Sequence, residues 1–198
     1  MKKIILPLIV ILLSACTMGG AMTPKQKVSE FLDKYKNQDQ SILSQLEEVV
    51  NNEYTNSDYR SRYKTLMTNQ YKNLEYKIKD EIVEDNNAVV EAEITVYDYG
   101  TAIKNANDYL NSNQGEFMTT PTIEITDAND ETSKDTNNNV TSTYDQDKFI
   151  NYKLTQMENV TNTITYTIQF TLTKVNNEWQ MDALSNADME KLHGIYVS

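Results

Sequence analysis

The stretch Thr-Ile-Thr-Tyr-Thr-Ile-Gln-Phe-Thr-Leu-Thr-Lys-Val at residues 163–175 decides the fold. Every second residue from 164 to 172 is apolar, and threonine or glutamine stands between them. This period of two predicts a strand with one buried face and one wet face. Asn176 and Asn177 favour a hairpin turn after it. The residues predicted to share one face of the returning strand are Trp179, Met181 and Ala183.

A second period-two segment lies near the middle of the chain. Small or apolar residues occupy alternate positions over 88–96, mostly separated by polar ones. Tyr76, Ile78, Ile82 and Val83 suggest an earlier strand. Residues 85–87, Asp-Asn-Asn, lie between the two segments and favour a turn because Asn and Asp tolerate positive φ. Residues 75–99 are therefore predicted to form another β-hairpin.

Helical spacing appears on both sides of this hairpin. Thr23 and Gln26 form a capping box, and Pro24 suits the first helical position. The residues predicted to form the buried face of this first helix are Val28, Phe31, Leu32 and Tyr35. Further helices are predicted over 42–50, 58–73 and 186–192. Gly100 is expected to end the second strand, and Thr101 to cap a short helix after it. Asp145 is expected to cap another helix.

Helices first, then a hairpin, a helical excursion and a closing hairpin predict an α+β fold. We expect N-terminal helices packed on a curved, cone-like antiparallel sheet, in a single domain over residues 25–198. The apolar pattern stops after Leu110, and residues 127–139 contain no apolar side chain larger than alanine. Such a segment cannot help bury a core, so a flexible polar insertion is predicted over 111–145.

The N-terminus has the order of a secretory signal. Lys2 and Lys3 precede an apolar run over residues 4–13, and small residues follow it. As a helix, that run would be about 15 Å long at ~1.5 Å per residue. A hydrocarbon core is about 30 Å thick, so the run is too short for a permanent membrane span.

The sequence Leu13-Ser14-Ala15-Cys16 at the end of this run resembles the bacterial lipobox. The resemblance implies cleavage between Ala15 and Cys16 and lipidation of Cys16, the only cysteine, which makes residues 1–15 a lipoprotein signal peptide. Two acyl chains give stable membrane anchoring. The expected location is the outer face of a bacterial cell membrane. The alternative is an ordinary cleaved signal in which Cys16 is a free thiol.

Charge and length restrict what the mature chain can bind. Removal of Lys2 and Lys3 leaves 16 basic against 29 acidic residues, a formal charge of −13. Nucleic acid and anionic lipid head groups repel such a domain, so no nucleic-acid partner is expected. Residues 16–24 form a short tether, and the eight after Cys16 reach at most about 29 Å. The domain is therefore expected to stay close to the membrane.

Residues 171–184, Thr-Leu-Thr-Lys-Val-Asn-Asn-Glu-Trp-Gln-Met-Asp-Ala-Leu, resemble the closing hairpin of nuclear-transport-factor-like, cystatin-like cone domains. They are most similar to that of small bacterial lipoproteins of uncharacterised function. Residues 96–104, Val-Tyr-Asp-Tyr-Gly-Thr-Ala-Ile-Lys, are similar to the strand-to-helix junction of the same lipoproteins. The long polar insertion departs from their pattern. The resemblance implies a cone-shaped interior between sheet and helices.

In some relatives an Asp and a Tyr in this interior perform isomerase chemistry. The residues that the resemblance places at such a pocket are Tyr97, Asp98, Tyr99, Tyr166 and Trp179. The alternative is that these aromatic side chains are core residues and that Asp98 is a carboxylate on the rim. No catalytic residue is assigned.

The chain lacks the residues that a zinc site or an EF-hand calcium site requires. His193 is the only histidine, and we expect it at a helix end that favours its charge. One His and one acylated Cys cannot form a zinc site, and no cofactor is expected. Asp127, Asn129 and Glu131 could offer oxygen ligands to calcium. Thr132 and Asn138, however, stand where an EF-hand loop needs glycine and glutamate.

The expected function is therefore that of a non-catalytic, membrane-anchored domain that binds a ligand or a protein. The alternatives are a small-ligand enzyme that uses a cone-shaped pocket and a calcium-responsive surface domain. The sequence does not name the ligand or the partner.

Overall fold

Six α-helices and four strands follow one another in the computed structural model, which describes residues 22–119 and 142–197. A short 3₁₀ helix (Gln114–Phe117) follows α4. In chain order the elements are α1 (Pro24–Lys36), α2 (Gln40–Glu53), α3 (Ser57–Lys72), β1 (Glu75–Glu84), β2 (Asn87–Tyr97), α4 (Tyr99–Ser112), α5 (Gln146–Glu158), β3 (Thr163–Val175), β4 (Glu178–Met181) and α6 (Asn186–Leu192).

Several predicted ends of elements are confirmed because their signals are local. The Thr23 hydroxyl accepts a hydrogen bond from the Gln26 N–H at 3.2 Å, and the Gln26 side chain accepts one from the Thr23 N–H at 2.8 Å. Asp145 caps α5 as predicted. Asn176 and Asn177 take positive φ values of 52° and 67° at the β3–β4 turn.

The four strands form one antiparallel sheet in the order β1-β2-β3-β4. The predicted α+β fold, with helices before a curved antiparallel sheet, is confirmed. One sheet face is buried against the helices, as shown by the side chains of Ile94, Ile168 and Phe170. Phe31 of α1 packs edge-on against Phe170 with 6.0 Å between ring centroids. On the opposite face, the threonines of β3 remain largely exposed.

The junction between β2 and α4 differs from the prediction. The strand ends at Tyr97, and α4 begins at Tyr99, so Gly100 lies inside the helix. Asp98 caps the helix instead of Thr101, because its Oδ1 accepts a hydrogen bond from the Thr101 N–H at 3.0 Å.

The closing hairpin is shorter than predicted. β4 ends at Met181, and the Asp182 N–H makes the last bond of its ladder, to the Thr171 carbonyl at 2.9 Å. Ala183 therefore lies outside the strand and is exposed, whereas Leu184 is buried.

Regular structure occupies both ends of the predicted insertion over 111–145. α4 continues to Ser112, and Phe117 of the 3₁₀ helix is buried with its ring edge-on to Phe149 at 5.6 Å. Met118 and Tyr144 then form an isolated antiparallel bridge. The rest of the predicted insertion, residues 120–141, lies outside the described residues.

Candidate functional site

Three of the residues predicted to line a pocket lie at one end of the sheet. Tyr97, the last residue of β2, is paired with Thr163, the first residue of β3. Asp98 directly follows Tyr97 in the chain. The ring of Tyr166 lies edge-on to that of Tyr196, with 6.0 Å between centroids. Partial burial and then the nearby charge of Asp98 raise the pKa of Tyr166. The structure therefore brings Asp98 near Tyr166, whereas Tyr97 has the opposite alternation to Ile94, the strand partner of Tyr166.

Trp179 does not join them. It lies opposite Lys174 beside the β3–β4 turn, whereas Tyr97 lies opposite Thr163 at the other end of β3. Eleven residues of strand separate the two positions, or about 36 Å at ~3.3 Å per residue. The indole is buried, and the Lys174 ammonium lies 5.6 Å from its ring centroid. Trp179 is therefore a core residue at the opposite end of the sheet.

Asp98 already has hydrogen-bond partners. Its Oδ1 caps α4, and its Oδ2 accepts a hydrogen bond from the Asn162 side chain at 3.4 Å. Tyr99 is almost fully buried, and its ring stacks on that of Tyr97 at 5.9 Å. Phe31 and Phe170 meet in the space between α1 and the sheet. The contacts support an aromatic core with a rim carboxylate more than a catalytic pocket.

A surface depression of about 470 Å³ follows the polar side of α1, from Gln26 past Asp33 to Asp39. Charged partners already surround its central carboxylate, since Glu30 lies 3.6 Å from the Lys27 ammonium and 3.7 Å from that of Lys34. Asp33 accepts a hydrogen bond from the Tyr76 hydroxyl at 2.8 Å. Glu30 Oε2 is shielded from solvent and has no hydrogen-bond partner among the described residues, and none of these contacts assigns a ligand.

His193 is buried, in contrast to the prediction of a charged histidine at a polar helix end. Its Nδ1 lies 3.1 Å from the Tyr71 hydroxyl oxygen, and the rings of Tyr35 and Tyr71 lie within 6 Å of the imidazole. Loss of solvent on burial lowers the pKa of His193 to about 4. The imidazole is therefore neutral at physiological pH. The reason is packing: tyrosines from α1 and α3 cover a position that looks exposed in the local sequence.

The backbone after α6 is bonded to the first turn of α4, a distant part of the chain. Gly194 ends the helix in a Schellman motif, in which its N–H bonds to the Lys191 carbonyl at 3.0 Å and the Ile195 N–H to that of Glu190 at 2.9 Å. The Gly194 carbonyl then accepts a hydrogen bond from the Gly100 N–H at 2.8 Å. We call residues 193–196 the C-terminal clasp.

Gln70 completes the sheet beside this clasp. It is a buried polar residue, only 1% exposed, and its Oε1 accepts a hydrogen bond from the Tyr97 N–H at 2.8 Å. Its Nε2 donates to the Tyr97 carbonyl at 3.4 Å. Because β1 begins only opposite Thr95, the amide of Gln70 takes the place of a strand residue at Tyr97.

β3 has an open edge over residues 163–169. The Lys174 N–H bonds to Asn86 beside β2, whereas the Thr171 carbonyl bonds to Asp182 on the β4 side. Because backbone groups alternate in direction along a strand, odd-numbered residues point away from β2. β4 pairs only with residues 172–175. Among the described residues, nothing pairs with the backbone groups of Thr163, Thr165, Thr167 and Gln169 that point outward.

Some predicted sites lie outside the described residues. These are Ala15 and Cys16 of the lipobox, and the calcium candidates Asp127, Asn129, Glu131, Thr132 and Asn138. Over residues 22–119 and 142–197, no group of three or more His, Cys, Asp or Glu side chains could hold a metal ion. Within the same ranges, every helix is too short or too polar to cross a bilayer.

Comparisons with protein-family models, curated proteins and solved structures each found no match to this chain. The six helices and the antiparallel sheet place the protein in the α+β class. The resemblance to cystatin-like cone domains stays a prediction. Sequence reasoning missed Gln70, the clasp and the open edge of β3. Of these, only Gly194 carried a local signal, because glycine just after a helix favours a Schellman motif.

Proposed function

We propose that this protein is a lipid-anchored extracytoplasmic domain that binds a protein partner by strand addition at the open edge of β3. The anchor is supported by the lipobox at Leu13-Ser14-Ala15-Cys16 and by the short tether after it. The open edge carries the binding proposal. An extended segment that pairs there would satisfy the outward backbone groups and continue the sheet.

The two edges of the sheet differ in how they are protected. β1 has a register shift between Ile78 and Glu81, and the charged residues Lys77, Lys79 and Asp80 lie at or beside it. Bulges and charges of this kind discourage pairing with another chain. Residues 163–169 of β3 contain neither a charge nor a proline. Within the described residues, this part of the β3 edge therefore has neither the bulge nor the charges that discourage strand addition at β1.

The side chains around this edge define the kind of segment that would fit. Threonine hydroxyls line the outer face, and those of Thr95 and Thr165 lie 2.8 Å apart. On the inner face, half-buried Tyr166 meets Tyr196. A partner strand with polar residues on one face and apolar residues on the other matches both surfaces. Its backbone supplies affinity, and its alternating side chains supply specificity.

Replacement of Cys16 by serine tests the anchor. We expect the wild-type chain to incorporate labelled palmitate and to sediment with membranes, whereas Cys16→Ser loses the label and leaves the membrane fraction. The reason is that serine offers no thiol for the thioether link. Ser14→Ala, which keeps a small residue in the lipobox, serves as the control. Equal labelling of wild type and Cys16→Ser would contradict lipidation at this residue.

Replacement of Thr167 by proline tests the open edge. The Thr167 N–H points away from β2, so proline removes an outward donor without removing a bond of the existing ladder. A photo-crosslinking residue in place of Gln169 should give a covalent adduct with the partner in cells. In this background, Thr167→Pro should weaken binding of the partner about tenfold. Thr167→Val, which keeps the N–H, should leave the adduct unchanged.

The mass of the adduct identifies the partner. An adduct of twice the chain mass means a second copy of this protein, and another mass means a different protein. The same crosslinker at Lys77 on β1 should give no adduct. Equal adducts from both positions, or none from Gln169, would contradict strand addition at β3.

A further inference from the structure

The two hairpin turns expose aliphatic side chains at one end of the sheet. Ile82 is 61% exposed, Val83 50% and Val175 39%. The turns lie side by side, because the Lys174 N–H donates to the Asn86 carbonyl at 2.7 Å. We call residues 81–88 and 173–179 the hairpin end. It carries three of the large apolar side chains that the described part of the chain exposes most, on two neighbouring turns and on both faces of the sheet.

The first helix begins beside the same end. The Lys25 N–H donates to the Glu81 carboxylate at 3.2 Å, and the Lys25 ammonium donates to the Lys79 carbonyl at 3.0 Å. Glu81 is adjacent in sequence to Ile82. The chain from Cys16 to Met22 can extend no further than about 22 Å at ~3.3–3.6 Å per residue. A lipid on Cys16 therefore keeps the hairpin end within reach of the bilayer surface.

We propose that the hairpin end docks on the bilayer, with Ile82, Val83 and Val175 entering its head-group region. This inference rests on the proposed lipid anchor. The anchor supplies most of the membrane affinity, and docking sets the orientation of the domain. The opposite end of the sheet, where Tyr97 pairs with Thr163, then faces away from the membrane.

The charges of the hairpin end select the lipid. Glu84 and Asp85 follow Val83, and Glu178 follows the second turn, whereas Lys174 is the cation of that turn. Its ammonium already lies over the Trp179 ring. The excess of carboxylates disfavours an anionic surface, so a zwitterionic surface fits this end better.

The only tryptophan of the chain reports on this contact. Trp179 lies in the hairpin end, opposite Lys174. The buried core that the structure describes runs from Val28 to Leu192, so residues 16–198 carry it whole. This mature chain is coupled through the thiol of Cys16 to a maleimide lipid in phosphatidylcholine vesicles with brominated acyl chains. We expect the bromines to quench Trp179 fluorescence, and less strongly once anionic lipid is added.

Two matched variants separate docking from mere proximity. Ile82→Ser together with Val83→Ser should lower the ratio of docked to undocked chains about tenfold, because two half-exposed aliphatic side chains no longer leave water. Tyr144→Ser is the control. It removes a side chain that is 49% exposed but pairs with Met118, beyond the C-terminal end of α4. This variant should be quenched like the wild type.

The outcomes test membrane docking separately from lipidation of Cys16. If the coupled wild-type chain shows no quenching, or if the double variant is quenched equally, docking is overturned whether or not cells lipidate Cys16. If quenching follows the predicted pattern but cells do not label Cys16 with palmitate, the geometry of docking holds and the natural anchor is overturned.

Discussion

Replacement of Gly194 by alanine is expected to lower the free energy of unfolding by roughly 3–5 kcal/mol. Gly194 has a φ of +70°, a conformation that L side chains rarely adopt. A Cβ at this position would also overlap the Gln70 side-chain nitrogen and the Tyr97 carbonyl oxygen. Either the clasp or the amide of Gln70 must move, and the hydrogen bonds between Gln70 and Tyr97 are then lost.

Denaturant unfolding of three glycine variants provides the measurement. Gly100→Ala should be destabilised to a similar degree, because its Cβ would overlap the Tyr196 carbonyl from the other side of the clasp. Gly115→Ala is the matched control, since no heavy atom lies within 4 Å of its added Cβ. Its stability should stay within about 0.5 kcal/mol of the wild type.

The stabilities of the three variants, compared with one another, test the packing of the C-terminal clasp. If Gly194→Ala and Gly115→Ala unfold at the same denaturant concentration, the clasp does not pack as the structure shows. A large loss for Gly194→Ala alone would place the effect in the backbone conformation of that residue. A shared loss for Gly194→Ala and Gly100→Ala locates it in the clasp.

The elements that the sequence predicted well are those with local causes. The alternation over residues 163–173 matches β3, which continues two residues further to Val175, and α6 spans the predicted residues. In both cases the pattern and the flanking turn or cap lie within a few positions of each other. The capping box at Thr23 and Gln26 was predictable for the same reason.

The site could not be predicted in the same way, because its contacts join residues that are far apart in the chain. Gln70 lies in α3 and accepts a hydrogen bond from the N–H of Tyr97 in β2, 27 positions later in the chain. A period of two places Trp179 on the buried face, but it does not say which end of the sheet that residue occupies. The pairing of β2 with β3 decides this, and it separates Trp179 from Asp98.

His193 is expected to make stability depend on pH between about 6.5 and 4. Burial lowers the pKa of the folded imidazole from 6.5 to about 4. The unfolded chain therefore binds a proton in this window before the folded chain does. Stability is complete above pH 6.5 and falls as the pH drops to about 4. At about 1.36 kcal/mol per pKa unit, the loss is on the order of 3 kcal/mol.

His193→Gln isolates this contribution, because the amide can still form a hydrogen bond with the Tyr71 hydroxyl but does not titrate. Carboxylates whose pKa is lowered, such as Glu158 beside Arg62, also weaken the fold in acid, and they do so equally in both proteins. The measurement is the free energy of unfolding of wild type and variant at pH 7, 6, 5 and 4. Their difference should shrink or change sign as the pH falls, by about 3 kcal/mol over the window. A constant difference would mean that the imidazole takes up its proton at the same pH in the folded and the unfolded chain, and the burial of His193 against Tyr35 and Tyr71 would then be incorrect.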